Sequence, residues 1–242
     1  QNPYILCDDG IDVDFTVADR IAYDLELDMF STERIKAGIV YVLRENAFAG
    51  HTCLPKERLM ERVCSALGVS EDDFDTALYK GVKENKLAFH ISSKRTYVFL
   101  AEYYHAEMYI ASKIAVMLKL SAPLEKDFSE EIAGVEWTEN IQYEDLQKAA
   151  INAAMGNNLF ILTGGPGTGK TTVVHALLHI FRSMDLSVAL CAPTGRAAKR
   201  LSESTSCDAK TIHRLLEYGG DETGGHAHFQ RNETNLLDEH AI

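Results

Sequence analysis

Asn158-Leu-Phe-Ile-Leu-Thr-Gly-Gly-Pro-Gly-Thr-Gly-Lys-Thr-Thr172 is the stretch whose reading decides the fold. Its apolar run, residues 159–162, reads as a buried strand. It enters Gly164-x-x-x-x-Gly169-Lys170-Thr171, the pattern of a phosphate-binding loop. A helix is expected next, because Val173, Leu177, Ile180, Phe181 and Met184 recur at helical spacing. Each residue type has a physical task. Gly165, Gly167 and Gly169, with Pro166 and Thr168 between them, let the backbone curl so that successive N–H groups converge on phosphate oxygens. The helix that opens at Lys170 aims its positive end at the same point. Lys170 is placed to reach the outer phosphates, the Thr171 hydroxyl to ligate Mg²⁺, and Thr172 to close the loop. The motif implies nucleoside triphosphate binding.

Working outward, residues 187–192 are a second apolar run. Strand, helix, strand with such apolar strands implies an α/β unit with a parallel sheet covered on both faces. Ala192-Pro-Thr-Gly-Arg-Ala-Ala-Lys-Arg-Leu201 then ends a strand and begins a helix at the carboxyl edge of that sheet. Open α/β sheets bind ligands at this edge. The nucleotide already has its loop, so Thr194 and the free N–H groups beside it point to a second phosphate-rich ligand, and nucleic acid fits. Thr211-Ile-His-Arg214 adds a hydroxyl, an imidazole and a guanidinium within four residues, on a helix expected over 209–218.

Charge bears on that reading. The chain has 242 residues and net charge −12, which on average opposes a nucleic-acid partner. The distribution is uneven. Residues 1–30 carry eight acids against Arg20 alone, whereas residues 192–214 carry five basic residues against two acidic ones. Five cysteines without a Cys-x-x-Cys pair argue against a disulfide framework and for a reducing cytoplasm. No run is long and apolar enough to span a membrane, and the start carries no secretory signal pattern. The start lacks Met, so the chain is read as a piece of something longer.

Upstream, residues 2–45 read as short helices. Residues 54–67 and 74–84 read as two more, with Pro55 at the first turn of one, Gly68 ending it, and Ser70 capping the next. Residues 86–91 and 96–100 read as strands around a turn. Helix, helix, hairpin is the order of a winged-helix module. Residues 101–120 read as a long helix in which Tyr103, Tyr104 and Tyr109 pack. Residues 121–138, with Pro123 and Gly134, read as a linker, and a helix follows over 143–155. The expected division is therefore 1–46, 47–120, a linker at 121–138, and an α/β lobe from 139 to 242.

Together, Gln147, residues 163–172, residues 192–201 and Thr211-Ile-His-Arg-Leu-Leu216 closely resemble the RecD-like DNA helicases of superfamily 1, of the stand-alone type with an amino-terminal extension. Asn2-Pro-Tyr4, Ala18-Asp-Arg-Ile-Ala22, Gly50-His-Thr52 and Leu54-Pro55 resemble that extension, with its helix-hairpin-helix and winged-helix-like parts. The resemblance implies a RecA-like lobe and an ATP-driven motor moving 5′ to 3′ on single-stranded DNA. It implies that Gln147 reads adenine, that Lys170 and Thr171 hold phosphates and Mg²⁺, and that Pro193, Thr194, Gly195, Arg196, Thr211 and His213 hold the DNA backbone.

Two departures stand out. Asp12-Val-Asp14 replaces the Gly-Ile-Gly type of turn expected in the first hairpin, and two carboxylates there repel a phosphate. The chain also stops near Asp238-Glu239, before the apolar strand that leads into the family's Asp-Glu box, which implies a piece that hydrolyses ATP negligibly by itself. Two other functions fit the residues: a phosphate-loop ATPase switch that does not translocate, and a protein-docking module with a regulatory nucleotide site. The acidic amino-terminal region keeps a protein partner open.

Overall fold

The computed structural model describes residues 2–7, 11, 13–120, 127–219 and 228–237. The chain forms two compact units, Gln1–Lys113 and Ile114–Ile242.

In the first unit a 3₁₀ turn, Pro3–Cys7, precedes α1 (Phe15–Asp24), α2 (Thr32–Phe48), β1 (Cys53–Pro55), α3 (Lys56–Leu67), α4 (Glu71–Lys83), β2 (Leu87–Ser92) and β3 (Arg95–Leu100). Local chemistry sets most of these boundaries. Gly68 ends α3 in the left-handed region at φ 70°. Ser70 and Asp73 form a reciprocal capping box that starts α4. Strands β1, β3 and β2 form one antiparallel sheet in that order, with Leu54 opposite Val98 and Leu87 opposite Leu100. The strand β1 was not expected, because three residues flanked by a loop and a helix carry no period of their own. Ile35, Ile39, Leu43, Leu59, Phe74, Leu78, Leu87 and Val98 form the core where α2, α3 and α4 meet the sheet.

A smaller cluster holds the amino terminus. Tyr4, Phe15, Ala18, Ala22 and Ala37 are buried together. Arg34, 7% exposed, donates from Nε to Asp19 Oδ1 at 2.7 Å and from Nη2 to Asp19 Oδ2 at 3.0 Å. Its Nη1 donates to the carbonyls of Met29 and Leu67, and the Tyr4 hydroxyl donates to Asp19 at 2.8 Å. One side chain thereby ties together the 3₁₀ turn, α1, α2 and the end of α3. The expected repulsive turn lies partly outside the described residues, since Asp12 is not among them. Asp14 caps α1, accepting from the Thr16 N–H at 2.8 Å, and the Thr16 hydroxyl bond holds its carboxyl below the usual range. The carboxylate thus occupies the helix end that a phosphate would need.

Helix α5 (Ala101–Leu120) follows. Of its tyrosines only Tyr104 packs as expected, with its ring 5.5 Å from that of Phe99. Tyr103 and Tyr109 are 37% and 49% exposed, because the apolar residues of α5 circle the helix instead of forming one stripe. No described helix is long and apolar enough to cross a membrane.

The second unit runs α6 (Ser129–Glu139), α7 (Asp145–Met155), α8 (Lys170–Ser183), β4 (Leu190–Ala192), α9 (Gly195–Thr205), β5 (Ala209–Thr211), α10 (Ile212–Leu215), β6 (Tyr218–Gly219) and β7 (His228–Phe229). The stretch expected as a linker differs. Residues 121–126 lie outside the described residues, but α6 is a helix whose Ile132 and Val135 pack, with Phe128, against Ile151 on α7 and Val173 and Ile180 on α8. Its acids and lone glycine disguise two buried positions, and Phe128 just before it is a third. Tyr143 belongs to the same core at 3% exposure, and its hydroxyl has no hydrogen-bond partner among the described residues. Tyr143→Phe is therefore expected to leave stability unchanged or to raise it by up to about 1 kcal/mol, since no bond is lost and a stranded polar atom is removed. A clear fall in melting temperature would show that the hydroxyl is bonded in solution.

Two further expectations are corrected. Residues 159–162 are not a strand: no described strand pairs with them, and Ile161 is 75% exposed. An apolar run becomes a buried parallel strand only when ladders form beside it. Residues 209–211 are strand and not helix, because β4 offers them a parallel ladder: Leu190 faces Ala209 and Ala192 faces Thr211. The described parallel sheet is this pair, and strand in the second run is confined to Leu190–Ala192. The expected loop over 219–225 falls almost wholly outside the described residues, as do Asp238 and Glu239.

Candidate functional site

The phosphate loop owes its shape to glycines. Gly167 and Gly169 lie in the left-handed region at φ 78° and 81°, where a side chain is strained. Gly169 is also the N-cap of α8, so the chain turns directly from the loop into the helix that starts at Lys170. A Cβ on Gly169 would fall 2.1 Å from Gln147 Nε2, and one on Gly164 would fall 2.7 Å from Thr168 Oγ1. In both places the room a Cβ would take is already held by a neighbouring side chain. Thr168 Oγ1 donates to the Gly165 carbonyl at 2.9 Å and braces the curl. Lys170 Nζ bends back across the loop, donating to the carbonyls of Gly164 at 2.7 Å and Gly165 at 2.6 Å. An ammonium and the first N–H groups of a 14-residue helix thus lie together at the end of the loop, the chemistry that suits a phosphate.

Gln147 lies beside the loop. It is the third residue of α7, and its Oε1 accepts from the Glu144 N–H at 3.0 Å while Nε2 lies against Gly169. One side chain caps α7 and touches the loop.

The second group of expected residues sits at the ends of β4 and β5. Because Ala192 and Thr211 are partners in a parallel ladder, the segments leaving the two strands emerge side by side. Thr194 caps α9, accepting from the Ala197 N–H at 3.2 Å, and Thr211 caps α10, accepting from the Arg214 N–H at 3.2 Å. Pro193, Thr194, Gly195 and Arg196 are exposed. Thr171 from the phosphate-loop helix and Thr194, Arg196 and Arg200 from the second segment line one open cleft of about 460 Å³. Thr211 and His213 are not in its lining.

Sequence reading missed an aromatic cluster beside this edge. The exposed His213 ring lies 5.3 Å from Tyr218 and 5.6 Å from Phe229, the latter two being on the paired strands β6 and β7. The paired strands are two residues each, too short for a periodic signal.

Comparisons with known proteins agree on the kind of protein this resembles. Residues 1–53 match the family model described as the ATP-dependent RecD2 DNA helicase HHH domain, and residues 147–242 match one described as an AAA domain. The ATP-dependent RecD2 DNA helicase of Deinococcus radiodurans is 31% identical over 217 residues, which is 86% of this chain and 30% of that protein. The RecBCD enzyme subunit RecD of Mycolicibacterium smegmatis is 37% identical over 109 residues, 36% of this chain and 20% of that one. The same subunit of Haemophilus influenzae is 43% identical over 84 residues, 34% of this chain and 12% of that one. The chain thus spans less than a third of the length of these relatives.

Proposed function

Because the chain belongs to the RecD-like family of ATP-dependent DNA helicases, we propose that its second unit is the part of a motor that couples ATP to movement along single-stranded DNA, 5′ to 3′. The observation that carries this reading is the shared cleft, in which Thr171 and Thr194 lie together. A change at the phosphates is felt there by the segment that would hold DNA.

ATP and Mg²⁺ suit the chemistry of the loop, since Gly167 and Gly169 hold it in a left-handed turn and residues 163–172 carry no carboxylate. In this reading residues 165–172 hold the triphosphate, Lys170 neutralises its outer charge, and Thr171 gives its hydroxyl to Mg²⁺. The metal, once held, neutralises charge that builds on the phosphates. Gln147 contacts the base. Pro193, Thr194, Gly195 and Arg196 hold one stretch of DNA backbone, and Thr211 and His213 the next. A partner protein on the amino-terminal unit is compatible with this reading.

Arg196→Glu tests it, because Arg196 is exposed and caps nothing. Affinity of the chain for a labelled oligothymidylate should fall by roughly 10-fold or more, from loss of one phosphate contact and addition of a repelling charge. Affinity for a fluorescent ATP analogue should stay within about twofold. Unchanged DNA affinity would reduce the reading to nucleotide binding alone. Strand displacement by the full-length parent on 5′-tailed against 3′-tailed duplex tests the direction.

A further inference from the structure

The first unit carries a surface outside both family-matched stretches. On α4, Tyr79 and Lys83 lie four residues apart and therefore share a face. Tyr79 is 55% exposed, and its ring meets Phe89 of β2 edge-on at 6.1 Å. Side chains alternate along β2, so Leu87, Phe89 and Ile91 line one face that starts in the core and ends at Ile91, 71% exposed. Just beyond, the turn Ser93–Lys94 has both residues at positive φ and presents Lys94 and Arg95 to solvent.

The charge of this surface decides what it takes. The unit as a whole is acidic, yet the carboxylates nearest here are already matched: Glu84 by Lys36, Glu33 by Lys36 and Lys80, Asp75 by Lys56. Among the described residues, Lys83, Lys94 and Arg95 have no ion-pair partner. Lys83 therefore shares a helix face with an exposed tyrosine ring that meets a second aromatic edge-on, and Lys94 stands in the turn beyond Ile91, whereas Arg95, opposite Ser92, lies on the other face of the hairpin. The start of α4 is different, with exposed Glu71, Asp72 and Asp73 in its first turn. Those carboxylates oppose the usual docking of a helix-turn-helix module, in which the beginning of the recognition helix enters a duplex groove.

We propose that this face, formed by Tyr79, Lys83, Phe89, Ile91 and Lys94, is a second binding site for single-stranded nucleic acid. Backbone phosphates meet the two lysines and a base stacks on Tyr79, the combination that single-strand binders use. The acidic first turn of α4 confines the strand to the hairpin end. The site is separate from the phosphate loop and does not depend on its assignment.

The test measures anisotropy of a labelled oligothymidylate across a series of salt concentrations, with the whole chain. In the double variant Lys83→Gln, Lys94→Gln the log–log salt slope should become shallower by about 1.4, because each single-strand phosphate contact contributes about 0.7. Tyr79→Leu keeps an apolar contact with Phe89 but removes the ring, and affinity should fall roughly 5- to 100-fold. Arg196→Glu, in the other unit, separates the two readings: its effect should add to that of the double variant. A double variant with an unaltered slope overturns the proposal and leaves the face as a protein-docking surface. Photocrosslinking of an iodouracil oligonucleotide to the unaltered chain guards against misfolded variants. Crosslinks within 79–95 are expected, and crosslinks confined to the second unit overturn the site.

Discussion

Lys170→Ala is expected to weaken binding of Mg-ATP by roughly 10- to 150-fold while leaving the second unit folded. A charge-assisted hydrogen bond to a phosphate is worth about 1.5–3 kcal/mol, and that range of affinity follows from it. The fold should tolerate the change because both present partners of Lys170 Nζ, the carbonyls of Gly164 and Gly165, are exposed and can turn to water. Gly169→Ala should look different. Its φ of 81° costs a side chain about 1–2 kcal/mol, and the added Cβ would lie 2.1 Å from Gln147 Nε2. Gln147 has to move, and with it goes the bond that caps α7 through Glu144. Lys170→Ala thus lowers nucleotide affinity at constant melting temperature, whereas Gly169→Ala lowers both. Titration with a fluorescent ATP analogue beside a thermal melt separates them. Equal affinity for Mg-ATP in Lys170→Ala and the unaltered chain would remove the loop from the nucleotide site.

The contrast between those two glycine-loop positions shows what a sequence discloses. Residues whose chemistry is local were legible: the loop glycines need positive φ, Ser70 needs an N–H three residues on, and Gly68 needs the left-handed region. The ends of α3, α4 and α8 followed from these. Thr194 and Thr211 were legible as functional candidates by type, but not as helix caps in adjacent strand exits. That placement depends on the pairing of Ala192 with Thr211, a contact across 19 residues of sequence. Elements that depend on a distant partner were misread in both directions. Residues 159–162 looked like a strand because they are apolar, yet strand geometry requires a ladder. Residues 209–211 looked helical, yet β4 recruits them. Helix α6 was hidden because its buried residues are few and its acids many. The Arg34–Asp19 pair could not be seen at all, since both residues read as ordinary surface charges.

That pair supports the second large effect. Asp19→Asn is expected to destabilise the first unit by about 3 kcal/mol at neutral pH, the lower end of the cost of stranding one member of a buried ion pair. The lower end applies because Arg34 keeps its bonds to the Met29 and Leu67 carbonyls. Burial alone would push the Asp19 carboxyl up, but hydrogen bonds from Arg34 and then Tyr4 outweigh it and hold it below the usual value. The folded value therefore lies below that of the unfolded chain, about 3.9. Such a group stabilises the fold above that pH, and its contribution fades as pH falls through the lowered folded value. The gap between Asp19→Asn and the unaltered chain should consequently be widest near neutrality and narrow below about pH 4. Hydrogen exchange on peptides from α1 and α2 reports this unit alone, because the lone tryptophan, Trp137, belongs to the other unit and would not. A gap that stays constant from pH 7 to pH 3 would mean that packing around residue 19, and not its charge, secures the amino-terminal cluster. Replacing both partners, Asp19→Leu with Arg34→Met, should cost less than Asp19→Asn alone, since no buried cation is then left without its carboxylate.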